Sequence, residues 1–440
     1  MSDLNWYRLD PIDLLLMREA KPFSPGDGSW AKGQFPPLPI TVFQAMRSAT
    51  PWIGNKSNRR QPENWLEFVG PFLLYAPPEE AATLWLPTPQ DLVCVCDRKQ
   101  TQDEDPEADD FTKMAVRWKR TARFQPLDRE NIAWKHLGLD PDFFPKEQLV
   151  PMVPPMRLDG EGSASVQNLN TCLRKVSPVQ ETPEIWEGIS GRPKPWIRAD
   201  ALIRYLKGEV IEHSDDEAGA FHDNPWRTQV LPHIKVQPGT RQVKDEDGYF
   251  TEVAIRMEPH WHLVAGISIK LEAKVVRLGG EGHRAIVSLM EEAPPSWEEL
   301  QTFRAPGTAQ DTAYVLTPGL AEVTTDSEKF GLVPESWQAS LRSCVGDRPL
   351  LWGGMSVFQR PKRPEQKAEG AQDKAETPKD IAFQPQRAFV PPGTVYRFQT
   401  GQVPTEFQSS DGEPKLLPRN GGNWLDTFNA LNYGILLWGQ

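Results

Sequence analysis

Positive charge is in deficit along this chain, with 49 Lys and Arg set against 60 Asp and Glu for a net charge of −11. That excludes a generic polyanion-binding surface, so any anion site has to be local. Cysteine is scarce, four in 440 residues, which excludes a disulfide framework and fits reduced thiols. Cys94 and Cys96 sit in Leu-Val-Cys-Val-Cys, where strand alternation puts both sulfurs on one face. A core position is favoured there over a metal site, which needs more ligands nearby. No run approaches eighteen apolar residues, and the opening MSDLNWYRLD lacks a basic-then-apolar leader layout, so a cytoplasmic chain is expected. HExxH, Walker and Ser-His-Asp patterns are missing too. Neither catalysis nor a cofactor is expected.

What is abundant is proline, 43 of 440, about twice ordinary usage. Proline terminates helices and central strands, so a helical bundle is excluded and short elements joined by long loops are expected. Sixteen tryptophans supply apolar anchors or stacking surfaces for those loops. The length suggests two domains, residues 1–195 and 196–440. Charge is also uneven. Residues 97–110 hold seven acids against two bases, whereas residues 112–125 hold five bases and no acid, and residues 1–60 carry eight bases and five acids.

The pivotal stretch is residues 266–289. Ile267, Ile269, Leu271, Ala273 and Val275 alternate with polar residues, the period of a strand with one buried face. Gly279, Gly280 and Gly282 break the pattern, and a second strand follows over residues 285–289. Arg277, His283 and Arg284 border the turn. Glycines there serve either a plain hairpin or a loop that brings backbone N–H groups to a phosphate. A comparable unit opens the chain: a strand from Trp6 interrupted near Pro11, a loop over residues 19–37, then a helix opened by Pro39 with Val42, Phe43 and Met46 on one face and Gln44 and Arg47 on the other. Strand, cationic glycine loop and helix can hold phosphate, and fit any βα unit equally.

Further on, a short helix over residues 64–69, strands over 72–75 and 92–96, and a helix over 128–137 are expected. So are an amphipathic helix over 196–206, a strand alternating Val253, Ile255 and Met257, and a capping box at Ser296 and Glu299. Residues 360–380 contain no large apolar side chain and read as a solvated, disordered loop. The last third gives two more strand pairs, a helix through Leu431 and a closing strand over 433–438. The fold class is α+β.

Several of these segments occur together in one known family. The run Arg18-Glu-Ala-Lys-Pro-Phe23, the loop Gly28-Ser29-Trp30-Ala31-Lys32, the segment Leu278-Gly-Gly-Glu-Gly282, and Val390-Pro-Pro-Gly-Thr-Val-Tyr396 resemble, in that order, the family of third subunits of type III-B CRISPR Cmr complexes, within the RAMP superfamily. The family's loop usually has Asp and Arg where Glu19 and Lys21 stand here. A lysine neutralises phosphate without the bidentate fork of arginine. The resemblance implies two ferredoxin-like, RRM-related domains and a non-catalytic subunit that grips the repeat-derived 5′ tag of the crRNA. It implies the large polymerase/cyclase-like subunit and the backbone RAMP subunit as neighbours. The competing readings are a crRNA-processing endoribonuclease, for which His260, His262 and His283 are the candidates, and a subunit that docks only proteins.

Single-stranded RNA is read with cations on phosphates, small residues where the backbone approaches, and flat side chains. The N-terminal loop offers Arg18, Lys21, Lys32, Phe23, Trp30, Gly28 and Ser29, with Gln44 and Arg47 on the helix behind. The hairpin offers Arg277, Gly279, Gly280, Gly282, His283 and Arg284. The expectation is that the two loops meet at the RNA 5′ end. Against it, Phe23 and Trp30 serve equally well as loop anchors, Arg18 as an ion-pair partner, and residues 112–125 as a solvated face.

Overall fold

A computed structural model describes residues 4–17, 30–31, 33–50, 66–99, 118–126, 152–153, 185–213, 219–234, 249–307, 310–324, 329–359, 379–399, 414–419 and 421–440. The architecture is α+β, with short helices and many antiparallel strands. Its centre is an eight-stranded antiparallel sheet. From edge to edge it runs Phe221–His222, Trp196–Arg198, Thr83–Pro87, Phe68–Tyr75, Trp261–Ile267, Asn5–Pro11, Arg284–Leu289 and Lys274–Arg277. Strands on both sides of residue 195 share it: Trp196–Arg198 pairs with Thr83–Pro87, and Asn5–Pro11 lies between Trp261–Ile267 and Arg284–Leu289.

Alternation along these strands feeds two cores. Tyr7, Leu9, Leu73, Trp85 and Leu263 face one, where the helix Pro39–Arg47 lays down Val42, Phe43 and Met46. Gln44 lies on that helix's exposed side, and Arg47 is half-buried in its last turn. Trp6, Phe72, Leu74 and Val264 face the other core, covered by Leu202, Ile203 and Leu206 of the helix Ala199–Leu206 and by Trp297 of the helix Trp297–Gln301. The helices Pro39–Arg47 and Ala199–Leu206 therefore lie on opposite faces of the sheet.

A second, four-stranded sheet orders Leu341–Val345, Val395–Phe398, Thr312–Val315 and Leu436–Gly439 around Trp337, Tyr396 and Trp438. It is fastened to the first by the chain terminus, where Gln440 N–H donates to the Leu206 carbonyl at 3.1 Å. A buried carboxylate completes the join. Asp91 accepts from Arg123 Nε at 3.0 Å and from the Tyr205 hydroxyl at 2.8 Å, with Arg397 at 3.9 Å.

Several sequence expectations need correcting. The alternating run over residues 267–275 is not one strand. Pairing stops at Ile267 and resumes at Lys274. Between them the buried Tyr7 hydroxyl accepts the Leu271 N–H at 2.6 Å, which draws the chain into an arch. The phase then changes, so Val276 and Leu278 turn inward and Val275 is exposed. The chain is already a strand at Phe68 and Val69, where a helix was expected. Residues 196–198 are strand, and the helix begins at Ala199. Ser296 forms no capping box: it sits at φ 64° and its side chain caps nothing. The expected helix over 128–137 falls outside the described residues, and so does the expected loop over 360–380 except for Lys379 and Asp380, which are not loop but the start of the strand Lys379–Phe389. Among the described residues no helix is long and apolar enough to cross a membrane.

Candidate nucleic-acid interface

The turn between the strands Lys274–Arg277 and Arg284–Leu289 is closed by Leu278 N–H to the His283 carbonyl at 3.0 Å and His283 N–H to the Gly280 carbonyl at 3.1 Å. Gly279, Glu281 and Gly282 all take positive φ, at 92°, 50° and 84°. Such a sequence of left-handed residues explains the glycines, because a side chain there is strained. At Gly279 there is a second reason. A Cβ at that position would lie 2.5 Å from the Leu16 carbonyl oxygen. The same oxygen accepts the Gly280 N–H at 2.7 Å. The hairpin turn is thus seated on the backbone where the N-terminal loop departs.

The chain also returns from that loop at this place. Trp30–Ala31 pairs in parallel with Thr251 and Glu252, and Gln34 N–H donates to the Met17 carbonyl at 2.7 Å. Gly33 is tucked against Met17, whose carbonyl oxygen is 3.2 Å from where a Cβ would stand. The chain entering the loop at Met17 and leaving it at Gly33 and Gln34 is therefore held together beside the hairpin turn. Arg18, Lys21, Phe23, Gly28, Ser29 and Lys32 lie outside the described residues, and only the backbone of Trp30 is described.

His283 is braced from below. Its Nε2 donates to Glu252 Oε1 at 2.6 Å, while His233 Nε2 donates to Glu252 Oε2 at 2.7 Å. The Glu252 side chain is wholly buried, so these two imidazoles satisfy a carboxylate that would otherwise be costly to desolvate. Sequence reading missed Glu252. Val253, Ile255 and Met257 marked the other side of that strand as the apolar one, yet Glu252 and Ala254 are 0% exposed. Its partners stand 19 and 31 residues away in sequence, a spacing that no local pattern reveals.

Two arginines flank this seat, with the exposed Glu281 in the turn between them. Arg277 and Arg284 are register partners on adjacent strands and both are exposed. Neither has an ion-pair partner among the described residues. Like charges directly opposite one another destabilise a strand pair, and an anion laid over both removes that penalty. Gly282, with no atom within 4 Å of a Cβ placed on it, leaves the turn open. The helix Pro39–Arg47 packs beside the strand Lys274–Arg277.

Other sequence candidates are otherwise employed. Arg123, from the basic segment, is bound to Asp91 and stacks its guanidinium 4.0 Å from the Tyr205 ring centroid. His262 bonds Asp10, which also pairs with Arg8 at 2.9 Å. His260 precedes the strand at φ 67° and is exposed. Cys94 and Cys96 are both buried. Among the described residues no cluster of three or more His, Cys, Asp or Glu is placed to hold a metal ion.

Comparison with known proteins gives matches over almost the whole length. The profile of a family described as CRISPR-associated protein (Cas_Cmr3) matches residues 7–440. No curated protein sequence matches significantly. Among solved structures, the chain is similar to one from the type III-B Cmr-beta complex bound to cognate target RNA, at 12% identity over 98% of this chain and 96% of that one, with a TM-score of 0.38. Another comes from that complex with cognate target RNA and AMPPnP, at 10% identity over 89% and 86%, with a TM-score of 0.34.

Proposed function

Because this chain belongs to the CRISPR-associated Cas_Cmr3 family, we propose that it is a non-catalytic subunit of a cytoplasmic type III-B Cmr effector complex that grips the 5′ tag of the crRNA. The grip is formed by the loop from Arg18 to Lys32 and the hairpin turn from Arg277 to Arg284. Arg18, Lys21, Arg277 and Arg284 neutralise phosphates, and Phe23 or Trp30 stacks on a base. The large polymerase/cyclase-like subunit and the backbone RAMP subunit are its protein neighbours.

The observation that carries this reading is the hydrogen bond from Gly280 to the Leu16 carbonyl, which brings the root of one loop under the other. The engagement of His283 by the buried Glu252 favours a bracing role for that imidazole over a cleaving one. The test is the Lys21→Ala, Arg284→Ala double variant in the assembled complex. Tag RNA affinity should fall and its salt dependence flatten, by a slope of about 0.7 per lost phosphate contact on a single strand. Unchanged affinity and slope would refute the assignment.

The ferredoxin-like division at residue 195 belongs to the same proposal. Separate expression tests it, since fragment 1–195 must fold alone if the division is real, although its strands share a sheet with later ones.

A further inference from the structure

Below the helix Pro39–Arg47 the sheet carries an apolar pocket of about 190 Å³. It is lined by Trp85 and Trp196 of the sheet, by Phe35, Pro71, Leu350 and Pro392, and by Gln34, which follows the strand Trp30–Ala31. At roughly 30 Å³ per water this is the space of about six waters. That suits a single ring system and is too small for a whole nucleotide or a drug-sized ligand.

Two observations single it out. Gln34 Nε2 is buried and has no hydrogen-bond partner among the described residues, whereas buried donors are almost always paired. An amide presents a donor and an acceptor side by side, the complement of a base edge. The second observation is position. Gln34 N–H is bonded to Met17, the residue after the one that carries the hairpin turn. A smaller space of 110 Å³, lined by Met17, Thr41 and Trp352, shares Gln34 with the pocket. The site therefore opens beside the proposed grip.

We propose that this pocket receives one unstacked nucleobase of the RNA strand held at the adjoining loops, with its ring against the aromatic and proline walls and its edge read by Gln34. This rests on the RNA-gripping reading above and assigns the base-reading step to residues that the loop itself does not contain.

The experiment uses the assembled complex, loaded with crRNAs in which each tag base in turn is replaced by an abasic residue. Wild type should lose roughly tenfold or more at one position and little at its neighbours, the usual worth of a base stacked on aromatic side chains. Gln34→Met, which keeps the length and removes the amide, should erase base preference at that position while leaving the salt slope unchanged. Leu350→Trp, which places a ring at the pocket, should bind natural and abasic tags equally. Equal affinity for all abasic tags in wild type overturns the proposal, and so does a penalty that persists in both variants. If Leu350→Trp instead blocks incorporation of a neighbouring subunit while the base penalty survives, the pocket holds a protein side chain and the proposal is wrong. Failure of ultraviolet crosslinking between this chain and any tag RNA removes the gripping reading itself, and the pocket assignment falls with it.

Discussion

Two glycines three residues apart in one turn allow the seating of the hairpin to be weighed. Gly279→Ala and Gly282→Ala both place a Cβ at positive φ, for roughly 1–2 kcal/mol of local strain. The loss of backbone freedom in the unfolded chain returns about 0.4–1 kcal/mol to each. Gly282 has open space around it, so its variant should stop near 1 kcal/mol of destabilisation. At Gly279 the new methyl falls 2.5 Å from the Leu16 oxygen, well inside contact distance. The carbonyl has to move, and the 2.7 Å bond from Gly280 goes with it, for about 1–3 kcal/mol more when the partner stays buried. The predicted gap between the variants is about 2 kcal/mol. It is read from urea midpoints at a common m-value, and the Gly280 amide should exchange faster only in Gly279→Ala. Equal midpoints with unchanged exchange would refute the seating of the hairpin on Leu16.

Removing the Asp91 carboxylate with Asp91→Ala takes from the mostly buried Arg123 its carboxylate partner at 3.0 Å, while Arg397 keeps Asp311 at 3.2 Å; a loss of about 3 kcal/mol is expected in the same urea assay. Replacing Glu252 by Ala strands the donors of His233 and His283, so amide exchange should quicken across residues 278–284 while the four-stranded sheet keeps its protection. Burial, and then neighbouring Cys96, pushes the Cys94 thiol from its ordinary value of 9.0 up to about 12, and burial pushes Cys344 to about 11. Iodoacetamide at pH 8 should spare both in the folded protein and label them in urea. Because folding raises these values, the thiols' contribution to stability is whole below pH 9 and drains as pH climbs toward 11–12, by at most about 1.4 kcal/mol per pH unit and thiol.

The helix Pro39–Arg47 was legible in advance because its apolar spacing and opening proline agree, and its buried Val42, Phe43 and Met46 are the three that the pattern selects. The glycine turn was legible for the same kind of reason, since Gly279 and Gly282 do take positive φ, although Glu281 between them takes it too. The arch at Leu271 was not. Its cause is a tyrosine hydroxyl 264 residues away, and alternation in sequence continues unaltered through it. Nor could the order of strands be read. Each strand declares which face is apolar, but not which neighbour it will find, and Asn5–Pro11 pairs with segments from the middle of the chain. The roots of the two candidate loops adjoin only because of that order. The pocket at Gln34 was invisible for a related reason, since its lining comes from seven separated segments.

That strand order has a consequence on the ribosome. Asn5 leaves the ribosome well ahead of its partner Ile267, 262 residues behind it, and at an elongation rate of about 5–20 residues per second that is a delay of roughly 13–50 seconds. Throughout, the strand Asn5–Pro11 has two bare flanks and neither of its partners to join. That strand is therefore a stretch of nascent chain in need of a chaperone's shelter, and it is made long before it can find its place.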